Sequence, residues 1–246
     1  MASSPVMTKF EGRVALVTGA SGGIGARIAE RLGREGATVA MHYASHDEPV
    51  RELAATLPGA AVFQADLEAV DAPEQLVDDV QAELGPVEVL VANHGVGEVA
   101  QLDEVDAALF DEVLAINLRA PYLLARRTLP GMVERGFGRV LFMSSVAGLT
   151  GGIIGPHYAA SKAGLHGLTH YLAKRMARHG ITVNALAPAL VDDTRMFPGD
   201  PAELAHQIPV GRVGRPEEVA DLAIAVLRNG YMTNQVVSID GGMYPR

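Results

Sequence analysis

The sequence predicts a single α/β domain: a doubly wound parallel sheet of about seven strands with helices on both faces. Three observations carry this. Short β-rich runs alternate with longer helical patterns along the chain, and several of the runs are apolar on both faces, as buried parallel strands require. A glycine-rich turn joins the first run to the first helix.

In chain order, the strand runs are Val14 to Thr18, Thr38 to Tyr43, Ala61 to Gln64, Val87 to Ala92, Arg139 to Ser144, Thr182 to Leu186 and Gln235 to Ile239. Helical periodicity fills residues near 24–34, 48–56, 73–84, 106–134, 158–178 and 216–228. Strand, helix and strand repeated in this way imply right-handed crossovers. Residues 1–9 read as a loose tail and 10–246 as one domain. Within it, 188–215 carries Pro188, Pro198, Pro201 and Pro209 with little strand pattern, as a substrate loop or lid does.

A chain of 246 residues with 48% apolar and 20% charged residues can bury one substantial core. Its 20 basic and 29 acidic residues leave a net charge of −9, which argues against nucleic acid or an anionic membrane surface as the main partner. The chain has no cysteine, so disulfides, thiolate catalysis and Cys-rich metal sites are excluded. No apolar run approaches membrane-spanning or signal-peptide length, and the expectation is a cytoplasmic protein with no membrane partner.

The first strand runs directly into Thr18, Gly19, Ala20, Ser21, Gly22, Gly23, Ile24 and Gly25. Glycines permit a tight turn and close approach of a pyrophosphate, and the helix that follows aims its free N–H groups at the phosphates. The second strand should carry the choice of dinucleotide, and it ends His42, Tyr43, Ala44, Ser45, His46. No carboxylate precedes Asp47, which favours NADP(H), with a 2′-phosphate held by Ser45, His42 or His46; no arginine stands at this point, and NAD(H) stays possible. Asp66, closing the third strand, either hydrogen-bonds an adenine amine or caps a turn. Asn93 and Gly95 close the fourth, where glycine lets the backbone pass close to adenosine.

Tyr158 and Lys162 lie four residues apart on one helix face. A nearby ammonium favours phenolate, so Lys162 is expected to lower the tyrosine pKa from its usual value of about 10 and suit it to proton transfer at an alcohol or carbonyl. Ser144 and Ser145 end the fifth strand, from which a hydroxyl can project toward a substrate oxygen or simply make a turn. Asn117 lies in the long 106–134 helix, four residues before Pro121, which has no N–H for its carbonyl. A kink is expected there, with that carbonyl free to hold a water on a proton path to Lys162.

Taken together and in order, the Gly19–Gly25 loop, Asp66, Asn93 with Gly95, Asn117, and Ser145 thirteen residues before Tyr158 with Lys162 resemble the classical short-chain dehydrogenases/reductases, and among them the 3-oxoacyl-[acyl-carrier-protein] reductases of fatty acid biosynthesis. The likeness runs from about Arg13 to Tyr244. It implies a Rossmann-type fold, a catalytic tetrad of Asn117, Ser145, Tyr158 and Lys162, no metal, and NADPH-dependent reduction of a ketone, with a 3-oxoacyl thioester as substrate and acyl-carrier protein as its possible bearer. By the same resemblance Gly19, Ser21, Gly22, Gly23, Ile24 and Gly25 line the pyrophosphate. Tyr43 and Ser45 face the second-strand end of the dinucleotide, Asp66 and Leu67 the adenine, Asn93 and Gly95 the adenosine ribose, Tyr158 and Lys162 the nicotinamide ribose, and Pro188 and Val191 the carboxamide.

It also implies a homotetramer paired through the 106–134 and 158–178 helices, for which Leu123, Leu124, Leu165, Leu168 and Leu172 are candidate contacts or else core. This chain departs from the family pattern at His94, which either lines the cleft or packs in the sheet rim, and near Thr194, where one extra residue precedes the expected carboxamide threonine. Arg126, Arg127 and Arg135 read as a solvated helix face rather than a dock for a carrier protein. Two other readings remain: an NAD(P)-dependent dehydrogenase of a small alcohol, sugar or steroid, and a dinucleotide-binding protein without turnover.

Overall fold

The computed structural model describes residues 10–192 and 204–244. The expected N-terminal tail, Thr194 and the central part of the 188–215 loop lie outside the described residues. Among those described, β1 (Val14–Val17), β2 (Thr38–Tyr43), β3 (Ala61–Gln64), β4 (Val87–Ala92), β5 (Gly138–Met143), β6 (Ile181–Pro188) and β7 (Val236–Ile239) form one parallel sheet. Its order is β3-β2-β1-β4-β5-β6-β7. The helices are α1 (Gly23–Arg34), α2 (Glu48–Ala55), α3 (Ala72–Leu84), α4 (Ala107–Leu114), α5 (Ala120–Arg135), α6 (Ala147–Thr150), α7 (Pro156–Met176) and α8 (Pro216–Arg228).

Successive strand residues point to opposite faces, and both faces of the inner strands are buried while the edge strands β3 and β7 are half-buried. In β1, Ala15 and Val17 pack with Ile28, Leu32, Ile224 and Leu227 of α1 and α8, whereas Val14 and Leu16 pack with Leu76, Val80 and Leu124 of α3 and α5. Across the outer edges of α1 and α8, Arg27–Glu217 (2.8 Å) and Arg31–Asp221 (2.9 Å) form exposed ion pairs of modest energetic weight. No helix among the described residues is long and apolar enough to cross a membrane.

The expected 106–134 helix is divided. Between α4 and α5, Ala115–Arg119 forms a π-turn in which Ala120 N–H reaches back five residues to Ala115 O. A wide turn placed here accommodates Pro121, which cannot donate within either register. The candidate interface leucines also resolve. Leu123, Leu124, Leu165 and Leu172 are buried in the subunit itself, and Leu168 packs against the same core. The outward apolar groups on these helices are instead Tyr122 and Tyr171, at 43% and 56% exposure.

Candidate active site

The strand order reverses between β1 and β4, and their carboxyl ends open a crevice where open α/β sheets take ligands. Thr18 and Gly19 leave β1 beside Asn93 at the end of β4, Ser145 follows β5, and Pro188 ends β6, so four strand termini converge. One cleft there is lined by Ile24, Asn93, Ser145, Tyr158, Lys162, Pro188 and Val191, and extends over apolar Ile153, Ile154, Leu190, Leu204, Met243 and Tyr244. Residues far apart in sequence therefore share one wall.

Ser145 and Tyr158 line the same cleft, with the serine hydroxyl close enough to the phenol to act on it as a hydrogen-bonding group. The backbone beyond β5 sets that serine in place: Ala147 N–H donates to Ser145 Oγ at 3.1 Å, and Val146 N–H donates to Pro188 O at 3.0 Å. The Ser144 hydroxyl is engaged elsewhere, its Oγ donating to Lys162 O at 3.0 Å and lying 2.7 Å from His166 Nε2, so that side chain anchors α7. Lys162, 2% exposed, donates from Nζ to Met143 O at 2.9 Å and stands 5.5 Å from the Tyr158 ring centroid.

The expected lowering of the tyrosine pKa is not what the free protein provides. Burial pushes the Tyr158 phenol up to about 12, against a smaller downward pull from the Ser145 hydrogen bond. Burial also pushes Lys162 down to about 8, so its charge is gone before the phenol would ionise. At neutral pH the pair is therefore a neutral phenol beside an ammonium, a state suited to giving a proton to a carbonyl oxygen.

Asn117, in the π-turn, does not point at Tyr158. Its Nδ2 donates to Val96 O and its Oδ1 accepts from Val96 N–H, both at 2.8 Å, and Nδ2 lies 3.1 Å from Ser161 Oγ. Ser161 Oγ in turn donates to Tyr158 O at 2.8 Å. The asparagine thus ties the β4 turn to the tyrosine helix.

The residues present fit a dinucleotide. A Cβ on Gly25 would overlap the Gly19 carbonyl oxygen and sit 2.5 Å from Asn93 Nδ2, so this turn closes only around glycine. Asn93 Nδ2 spans the Thr18 and Gly19 carbonyls at 3.1 Å each, holding the loop while the residue still lines the cleft. A Cβ on Gly95 would stand 3.1 Å from Lys162 Nζ and 3.2 Å from Asn117 Oδ1, so glycine here leaves room for both. Asp66 adopts its turn role, with Oδ1 accepting from Glu68 N–H at 3.1 Å, and neighbouring Leu67 is buried.

One histidine expectation changes and another resolves. His42 was a candidate for a 2′-phosphate, but it is buried beneath the loop: Nδ1 accepts from Gly19 N–H at 3.2 Å and Nε2 lies 3.0 Å from Ala65 O. Burial drops its pKa to about 4, so it is neutral and out of reach of an anion on the surface. His94 does not line the cleft but packs in the rim with both ring nitrogens engaged, and burial drops its pKa to about 3. Ser45 stays exposed, its Oγ 2.8 Å from His46 Nδ1.

Sequence reasoning missed Arg51. From α2 its Nε donates to Asp47 Oδ2 at 2.8 Å and its Nη2 reaches the Tyr43 hydroxyl at 3.4 Å, which brings a guanidinium to the end of β2. The signal was available as an Asp-to-Arg pair at i,i+4 in the first helical turn after that strand.

Comparison with known proteins places this geometry. The family model described as short chain dehydrogenase matches residues 13–204. The acetoacetyl-CoA reductase of Rhizobium meliloti is 38% identical over 239 residues, covering 94% of this chain and 98% of the relative. The 3-oxoacyl-[acyl-carrier-protein] reductase FabG of Pseudomonas aeruginosa is 37% identical over 244 residues, covering 96% and 98%. A crystal structure of a dehydrogenase/reductase from Sinorhizobium meliloti superposes with a TM-score of 0.87 at 35% identity, covering 97% of this chain and 98% of the other.

Proposed function

Because this chain belongs to the short-chain dehydrogenase family of NAD(P)-dependent oxidoreductases, we propose that it reduces the ketone of a 3-oxoacyl thioester to a secondary alcohol, with NADPH as reductant. The observation that carries this is buried Tyr158 beside half-buried Ser145, both lining one largely apolar cleft. Its support is the likeness to relatives that reduce acetoacetyl-CoA and 3-oxoacyl-acyl-carrier-protein, as their names state.

In this reading the bound dinucleotide supplies the hydride. The Ser145 hydroxyl orients the carbonyl oxygen, and the neutral Tyr158 phenol donates the proton that oxygen needs as it becomes an alcohol. Lys162 places its ammonium where developing negative charge on the phenol oxygen is eased, and Asn117 keeps Ser161 and the tyrosine helix against the β4 turn. Ile153, Ile154, Leu190 and Met243 offer the acyl chain an apolar wall and exclude water.

The Gly19–Gly25 loop, Asp66, Leu67, Asn93 and Gly95 hold the dinucleotide, with Pro188 and Val191 at its nicotinamide end. Arg51, beside Tyr43, supports the preference for NADPH, because a 2′-phosphate can recruit the guanidinium from Asp47. Asp47 itself favours a second reading, an NAD-linked alcohol dehydrogenase, in which that carboxylate accepts from the ribose hydroxyl. We also propose a homotetramer assembled on the outer faces of α5 and α7, where Tyr122 and Tyr171 stand exposed.

The test is dinucleotide oxidation with acetoacetyl thioester, comparing NADPH with NADH and wild type with Tyr158→Phe. Fast NADPH consumption that the variant abolishes supports the reading. If both dinucleotides bind and neither is consumed, the thioester assignment fails, and cyclic ketones, sugars and steroids become the substrates to test.

A further inference from the structure

The π-turn Ala115–Arg119 leaves a carbonyl that the helix cannot serve. In π register Ala120 N–H bonds Ala115 O, so the next acceptor is Ile116 and the next donor would be residue 121, a proline. A side chain from another part of the sheet fills the gap: His94 Nε2 stands 3.0 Å from Ile116 O. The opposite ring nitrogen, Nδ1, lies 2.6 Å from Thr18 Oγ1. That hydroxyl accepts the Asn93 and His94 amides at 3.0 and 3.3 Å, and its proton has two acceptors, Val91 O at 3.4 Å and Nδ1 at 2.6 Å. Because Ile116 O can only accept, Nε2 carries the ring proton and Nδ1 takes the hydroxyl's. The network therefore assigns a neutral imidazole with its proton on Nε2, donating to Ile116 O.

Each end of this link leads to the chemistry. Thr18 precedes Gly19, the first glycine of the phosphate loop. Ile116 precedes Asn117, which continues through Ser161 to the Tyr158 carbonyl. The site is dry, with His94 8% exposed, and His42 packs against it edge to face at 6.3 Å.

We infer that His94 is a positioning residue, a rigid spacer that holds the Asn117 turn at a set distance from the floor of the dinucleotide loop, so that proton donor and hydride donor meet the same carbonyl. The inference rests on the oxidoreductase reading above, but part of its test does not.

The experiment compares wild type with His94→Ala, His94→Gln and His94→Asn. Gln can restore a donor at the position of Nε2, whereas Asn reaches only the Thr18 side. With NADPH bound, hydrogen exchange at the Val96 and Ala120 amides should be at least tenfold faster in His94→Ala, and slowed again by Gln more than by Asn. With a reducible ketone, kcat should fall at least tenfold in His94→Ala while KM for the dinucleotide changes less than threefold, with Gln recovering more of kcat than Asn. Should the alanine variant fail to fold, the Gln and Asn pair carries the same comparison.

Exchange unchanged on substitution overturns the inference. So does faster exchange with unchanged kcat, which leaves His94 as a stabilising brace only. If the wild type reduces no thioester or other ketone, the proposed function fails, and the exchange measurement with bound dinucleotide alone decides whether His94 couples the loop to the π-turn.

Discussion

Asn117 brackets the backbone of Val96, giving a hydrogen bond to its carbonyl and taking one from its amide at 2.8 Å each, as a neighbouring strand would. Loss of that side chain breaks both bonds, and because Val96 is 36% exposed water takes up part of the loss, leaving a cost of about 0.5–1.5 kcal/mol for each. Asn117→Ala is therefore expected to lower the melting temperature by several degrees, at roughly 2–4 °C per kcal/mol for a domain of this size. It should also reduce kcat by more than tenfold, because the β4 turn would no longer be tied to the tyrosine helix. Calorimetry and steady-state kinetics on the same preparation check both.

Arg51→Ala should raise KM for NADPH about tenfold or more, the scale of a lost charge-assisted contact, and leave KM for NADH within twofold. Equal effects on the two dinucleotides would show that the guanidinium only caps Asp47.

The buried histidines make stability sensitive to acid. The ordinary histidine pKa is 6.5, and folding lowers it to about 4 for His42 and to about 3 for His94. Below pH 6.5 the unfolded chain takes up protons that the native rings refuse. Stability from this source is full above that pH and falls as pH drops toward the folded values, by about 1.4 kcal/mol per pH unit for each ring. Urea unfolding at pH 7, 6 and 5 should show this slope, and His42→Asn should reduce it by about half.

The state of Tyr158 gives the two reaction directions different pH profiles. The neutral phenol, with its pKa pushed up to about 12, is already the acid a reduction needs, so the reductive rate should stay flat from pH 6 to 7.5. Oxidation of the alcohol needs the phenolate and should climb with pH, up to about tenfold per unit. Initial rates in both directions across one buffer series measure it.

Gly25→Ala should abolish dinucleotide binding or prevent folding, since its methyl group would overlap the Gly19 carbonyl oxygen. Gly167→Ala, exposed on α7 and away from the cleft, where a Cβ meets nothing within 4 Å, is the control and should bind within a few-fold of wild type. Fluorescence titration with NADPH, alongside circular dichroism, separates the two outcomes.

The sequence by itself determined the sheet, the placement of the dinucleotide loop and the local spacing of Tyr158 and Lys162. Apolar periodicity, glycine at a tight turn and i,i+4 geometry are local properties of the chain. It also announced a break near Pro121, because a missing N–H is covalent. Only the tertiary structure decided what filled that break. His94 meets Ile116 and Thr18 across 22 and 76 residues of sequence, and Asn117 turned toward Val96 rather than toward the phenol. The same holds for His42, drawn beneath the loop, and for the direction of the Tyr158 pKa. Burial and long-range hydrogen bonding depend on which strands lie side by side, and neither is written in the residues flanking a site.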